Sequence, residues 1–152
     1  MPTGTTTPDS GLATRANLGF LLAKASQRWN ELLQEQFVTR GFGEVRPAYG
    51  SILLPLFEED GLRMGELARR ARLSKQTMTT MVRLLERDGL VKREPDPADG
   101  RAALVRLTRR ARAFRPVAEE VLGNLEARVA DRLTKREATA LKSALRKGVI
   151  EL

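Results

Sequence analysis

A chain of 152 residues, 41% hydrophobic and 30% charged, has the size and composition of one compact domain with a packed core. It holds neither cysteine nor histidine, which excludes disulfides, thiol redox sensing and histidine-based nucleophilic triads, and denies zinc its usual ligands. The net charge is +8, and residues 63–112 alone carry 14 basic against 6 acidic side chains, so the middle of the chain is either a target for polyanions or a solvated basic surface.

Residues 1–11 are rich in Thr, Pro and Gly and lack the basic start and apolar stretch of an export signal. They read as a disordered arm. No apolar run approaches the roughly 18 residues that cross a bilayer. The expectation is a cytoplasmic, nucleoid-associated protein without a membrane partner. Over 12–37, Leu18, Leu21, Leu22, Ala25, Trp29, Leu32, Leu33 and Phe37 recur at helical spacing, and Gly41 and Gly43 end that helix. Pro47 suits the first turn of a second helix that reaches about Glu59, with Pro55 kinking it or shortening its last turn. Asp60-Gly61 is a turn, and a short third helix covers 64–71.

Ser74 is a good N-cap for a fourth helix from Lys75 to about Asp88, which Gly89 stops. Two strands, 90–94 and 103–107, flank a charged turn-forming loop at 95–101. Thr108 caps a long fifth helix whose apolar stripe runs from Phe114 to Leu133, with a bend expected at Pro116. Thr134 and Glu137 have capping-box spacing and open a last helix ending at Gly148. The fold class is mainly α with a small β-hairpin wing.

The fourth helix carries most of the functional information. Met78, Met81, Val82 and Leu85 fall on one side; Gln76, Thr79, Thr80, Arg83 and Arg87 fall on the other, with no acid among them. Gln pairs with adenine, Lys or Arg with guanine, and a Thr methyl touches thymine, so this stripe has the chemistry of major-groove readout. Ser74, Lys75, Gln76 and Thr77 occupy the N-terminal end, which lies nearest the bases when such a helix docks and whose backbone N–H groups suit a phosphate. A solvated surface helix could show the same residues, and capping alone explains Ser74. The hairpin adds weight: Arg101 is at its tip, with Lys92, Arg93 and Arg106 on or beside the strands, and a basic tip beside a major-groove helix reaches the adjacent minor groove. Asp99 is placed to hold Arg101 by a salt bridge, or is a plain turn residue.

Leu67-Ala68, Leu73-Ser74, the run Leu84-Leu85-Glu86-Arg87-Asp88-Gly89-Leu90-Val91, Asp99-Gly100-Arg101 and Leu104-Val105-Arg106-Leu107-Thr108 together resemble the multiple antibiotic resistance regulator (MarR) family. The helix order matches over about residues 12–148. The resemblance implies a winged helix-turn-helix regulator that binds double-stranded DNA as a homodimer, with the recognition helix over 74–87 and Arg101 in the wing. Residues 45–108 would form the DNA-binding lobe, and 12–44 and 109–152 the dimerisation helices of one continuous protomer. One departure is visible: Arg63 stands where relatives often carry a Ser or Thr cap, with Glu66 at the boxed position. Dimerisation also follows from the long apolar stripes of the terminal helices, which exceed what a small winged helix can cover; an intramolecular bundle is the other way to bury them.

The resemblance further implies a small aromatic or anionic effector bound between the dimerisation helices and the DNA-binding lobe. Trp29, Arg46, Tyr49 and Phe57 lie on the first two helices, where an aromatic wall with one Arg suits an aromatic carboxylate. Core packing accounts for Trp29 and Phe57 as well. No cofactor and no catalytic residue are expected, because no motif for phosphate cradling, metal ligation or nucleophile activation appears. The competing readings are a winged-helix module that binds protein or RNA, which would show exposed apolar residues on the fourth helix, and an enzyme. The expected function is a repressor released by its effector from a pseudo-palindromic operator.

Overall fold

The computed structural model describes residues 13–152, so the expected arm at 1–11 and the expected helix start at Leu12 lie outside the described residues. Helix α1 spans Leu18–Thr39. It begins where the Asn17 side-chain oxygen accepts the Phe20 N–H at 3.2 Å. It ends at Gly41, whose φ of +85° is a left-handed stop; the Phe42 N–H returns to the Phe37 carbonyl at 2.8 Å. Pro47–Tyr49 forms a 3₁₀ turn and leads directly into α2, Gly50–Glu58. Pro47 therefore opens a 3₁₀ turn and not a regular α-helix. Pro55 lies inside α2, which continues to Glu58.

A two-residue strand, β1 (Leu62–Arg63), was not expected. It is too short to show an alternating pattern and exists only by pairing, Leu62 with Val105 and Arg63 with Leu104. It leads into α3, Met64–Ala71. This pairing replaces the missing cap at Arg63: no side-chain cap bond forms, and the Arg63 Nε donates instead to Asp96 at 2.6 Å. After α3, Arg72 adopts the left-handed region (φ 55°) and the Leu73 N–H closes back on the Ala68 carbonyl at 3.0 Å. Helix α4 follows, Lys75–Arg87.

The hairpin is longer than the sequence suggested. Strands β2 (Val91–Asp96) and β3 (Asp99–Leu107) pair from Val91–Leu107 out to Asp96–Asp99, leaving Pro97 and Ala98 as the tip. The sheet order is β1-β3-β2, so Pro95 sits on an edge strand, where a missing N–H is tolerated. A register shift falls between Pro95 and Asp96, and the Asp96 carboxylate accepts the Ala98 N–H at 2.9 Å to tighten the turn. Helix α5, Arg109–Asp131, starts on the Thr108 cap and remains one helix through Pro116. Helix α6, Lys135–Leu145, opens with the capping box formed by Thr134 and Glu137. It runs on into a π-helical turn, Arg146–Ile150, so Gly148 does not end it.

One core joins the C-terminal half of α1, helices α2 to α4, the sheet and the first two-thirds of α5. Ile52, Leu56, Leu67, Met78, Val82, Leu85 and Val105 are each 0% exposed. Phe37 and Phe114 meet edge to face, with ring centroids 4.8 Å apart, and tie α1 to α5. The core stops at Leu125. Helix α6 contributes no buried residue, and Leu18, Leu21, Leu141 and Ile150 are between 42 and 61% exposed. Replacing Leu56 by Ala should cost about 2–5 kcal/mol of stability through lost burial and a residual cavity, read as a lower midpoint in urea denaturation.

Candidate nucleic-acid interface and adjoining cavity

Helix α4 is amphipathic in the simplest way: Met78, Val82 and Leu85 are fully buried, while Lys75, Gln76, Thr77, Thr80, Arg83 and Arg87 are exposed and Thr79 is half-buried. Burying one face fixes which side chains face outward. The Ser74 hydroxyl accepts the Thr77 N–H at 3.1 Å and donates to the Thr77 hydroxyl at 2.9 Å, so it serves the helix start. The Thr79 and Thr80 hydroxyls donate back to the carbonyls of Lys75 and Gln76 at 2.9 and 3.1 Å. With its proton so used, each threonine offers outward an acceptor oxygen and a methyl group. None of the exposed large hydrophobic residues lies on α4, against what a protein-docking winged helix would show.

The surrounding acids sort the cations into held and free ones. Arg87 forks onto Asp88, at 3.1 and 3.3 Å. Arg93 on β2 reaches Glu86 on α4 at 3.0 Å and joins wing to helix. Lys92 and Arg106 share Glu94, at 3.3 and 2.6 Å. On α3, Glu66 accepts from both Arg69 and Arg70, which hold its carboxyl far down, at about 2, and Arg70 also reaches Glu59 at 3.0 Å. Lys75 and Arg83 have no acidic partner among the described residues. The Arg101 side chain is 96% exposed; its backbone N–H donates to Asp99 at 3.1 Å, while its Nε stands 3.6 Å from the same carboxylate. Asp99 thus shapes the strand end and engages the guanidinium loosely. The outer stripe is acid-free, as its spacing predicts, and the contribution that spacing does not predict is that of Glu86 and Asp88, which sit just off the stripe and hold Arg93 and Arg87.

Of the four residues expected to line an effector pocket, three border one cavity. Trp29, Arg46 and Phe57 border a cavity of about 290 Å³ between α1, α2 and α5, together with Asn30, Ser51 and Phe114. Tyr49 does not. It is 1% exposed, and its phenol donates to Asp88 at 2.5 Å. Burial raises its phenol pKa, and the Arg87 fork, followed by the phenol, holds Asp88 below the usual carboxylate range. Pro47 and Gly50, three residues apart across the 3₁₀ turn, share the cavity face, and Tyr49 lies off that face; Arg46 is extended and precedes the turn. The wall supplied by Phe114, Ala118 and Leu122 of α5 was missed, since only tertiary packing brings it to α2.

Two short helices joined by a tight left-handed turn, a three-stranded wing and a long following helix define a winged helix-turn-helix protein. The MarR family model matches residues 47–103. The HTH-type transcriptional repressor Rv2887 of Mycobacterium tuberculosis is 34% identical over 137 residues, covering 90% of this chain and 96% of its own length. The chain belongs to the MarR family, a family of transcription regulators. Among solved structures, the transcriptional repressor CouR, bound to a 23-mer DNA duplex, is 26% identical with a TM-score of 0.75, over 90% of this chain and 96% of that one. The PcaV regulator from Streptomyces coelicolor, in complex with its natural ligand, is 25% identical with a TM-score of 0.73, over 90% and 93%.

The Glu66 fork makes a pH prediction. The folded-state value of about 2 lies below the ordinary 4.5, so the fork contributes stability that is complete above about pH 4.5 and is lost as pH falls toward 2. Carboxyl carbon shifts followed by NMR should place the Glu66 midpoint well below those of unpaired glutamates in the same chain.

Proposed function

We propose that the protein is a cytoplasmic, nucleoid-associated repressor that binds a pseudo-palindromic operator in double-stranded DNA as a homodimer and is released by a small aromatic acid. The observation that carries this reading is the exposed, acid-free outer face of α4, with Lys75 and Arg83 uncompensated and Arg101 projecting from the wing beside it. An α-helix with such a face fits the major groove, where the chemistry of Arg83 suits guanine and that of Gln76 adenine, and a wing arginine suits a narrow minor groove. Arg87 and Arg93 act on backbone phosphates from fixed positions, since their acids hold them in place.

Two subunits are needed to cover the apolar residues that the terminal helices expose, Leu18 and Leu21 on α1 and Leu141 on α6. A depression between α5 and α6, lined by Val129, Leu133 and Leu141, gives these residues a counterpart on a second copy. Twofold pairing sets the two α4 helices about one turn of DNA apart, roughly 34 Å, with 45–108 as the DNA-reading lobe and the flanking helices as the dimer contact. The 23-mer duplex bound to CouR is about two turns long and accords with that spacing. The cavity supports the effector: Trp29, Phe57 and Phe114 supply an aromatic lining, Arg46 a cation, and Asn30 and Ser51 hydrogen-bonding groups.

The test starts with an operator selected from a random duplex pool. Arg83→Ala should weaken specific binding by about 1–3 kcal/mol and relax preference at one base pair in each half-site. Arg101→Ala should weaken binding with little change in preference, and the parent's affinity should fall steeply with salt. Both variants binding like the parent in fluorescence anisotropy would reject the assignment of helix and wing. Because Trp29 is the sole tryptophan and borders the cavity, salicylate or 4-hydroxybenzoate should quench its fluorescence and lower operator affinity over the same concentration range.

A further inference from the structure

The turn that carries Arg46 to Gly50 faces two ways. Arg46, Pro47 and Gly50 line the cavity. Tyr49, within the same 3₁₀ turn, points into the core and bonds Asp88. Asp88 is the C-cap of α4; its backbone N–H returns to the Leu84 carbonyl at 3.0 Å, and its carboxylate receives the Arg87 fork. Among the described residues, no side-chain hydrogen bond joins a cavity-lining residue directly to α4; Arg46 acts on Asp88 through its charge, and the phenol–Asp88 bond is the hydrogen-bonded link between that turn and the end of the helix.

We infer that Tyr49 is a positioning residue that transmits occupancy of the cavity to the C-terminal end of α4, through the hydrogen bond from its phenol to Asp88. The inference rests on the reading of α4 as the DNA-recognition helix and of the cavity as the effector site. The turn is stiff. Proline fixes φ at residue 47, and the Tyr49 N–H closes the turn on the Arg46 carbonyl at 2.9 Å. A group that enters the cavity and displaces Pro47 or Gly50 therefore moves Tyr49 with them, because close-packed interiors pass on displacements that they cannot absorb. The phenol is held in the core and cannot slide past Asp88. Its movement shifts both the last turn of α4 and the Arg87 guanidinium that Asp88 holds. One displacement thus changes the tilt of the reading helix and the place of a phosphate-facing cation.

A double-substitution cycle isolates this role. Tyr49→Phe keeps the buried ring and removes only the hydroxyl. Ala118→Leu, on the α5 wall, extends an apolar side chain into the cavity and acts as a permanent occupant. Operator affinity is measured for the parent, each single variant and the double, with circular dichroism confirming the fold. Ala118→Leu should lower affinity about tenfold in the parent, and less than about threefold where Phe replaces Tyr49. An equal loss in both backgrounds, or no loss in the parent, overturns the inference. A merely structural role for the hydroxyl would lower affinity by the same factor whether or not the cavity is filled. Should Ala118→Leu unfold, salicylate serves as the occupant, with Trp29 quenching reporting its entry. Quenching that is retained while DNA release is lost in Tyr49→Phe supports the inference; retained release overturns it. Absence of quenching by either acid rejects the aromatic-acid effector alone, and the cycle is then run with Leu122→Phe, on the same α5 wall, as the occupant: an equal loss of operator affinity in the parent and Tyr49→Phe backgrounds overturns the inference, and a loss confined to the parent background supports it.

Discussion

The structure depends on how α4 is seated. Met78, Val82 and Leu85 bury one side of a 13-residue helix completely, and this burial, roughly 1.5–3 kcal/mol per side chain, outweighs anything the polar side could impose. It sets the rotation of the helix about its axis, and with it the set of outward-facing groups. Neighbouring elements brace that seat. Helix α3 closes on α4 through the left-handed turn at Arg72, and β2 leaves its far end immediately after Gly89. The two-residue strand β1 belongs to the same arrangement, since it fixes the start of α3 against β3 where no side-chain cap is available.

A second layer of control is electrostatic. The lobe is rich in guanidinium groups, and left alone they would repel one another and sample many rotamers. Glu66, Glu86, Asp88, Glu94 and Asp96 each hold one or two of them. Exposed pairs of this kind contribute little to stability. Their effect is geometric: they reduce the freedom of cations at the edges of the surface and leave Lys75, Arg83 and Arg101 as the ones able to adapt. Net charge governs attraction at a distance, whereas this selective pairing governs which positive groups remain available at contact.

The cavity and the exposed terminal helices arise from one geometric fact. The core ends at Leu125, while α5 continues to Asp131 and α6 turns back without burying anything. Helices that project beyond their own core present apolar surface, and the wedge between them and the lobe is incompletely filled. The wedge is walled by α1, α2 and α5, so whatever occupies it touches both the helices that project and the turn that holds Tyr49.

Much of this was legible in the sequence, for local reasons. Helical periodicity marked α1 and α5, caps at Ser74, Thr108 and Thr134 marked helix starts to the residue, and the pattern of α4 identified its outer face, because each of these signals resides in neighbouring side chains. The MarR resemblance likewise came from an ordered set of short local motifs. Tertiary structure alone decided the rest. Strand β1 has no pattern of its own and exists through its partner; the hairpin extends past Pro95 because β2 is an edge. Tyr49, placed by sequence beside Arg46 in the expected pocket, is turned into the core by a 3₁₀ turn, and the opposite cavity wall arrives on α5 from far along the chain. Periodicity describes how a segment presents its faces, but not which distant surface meets each face, since that depends on the packing of the entire core.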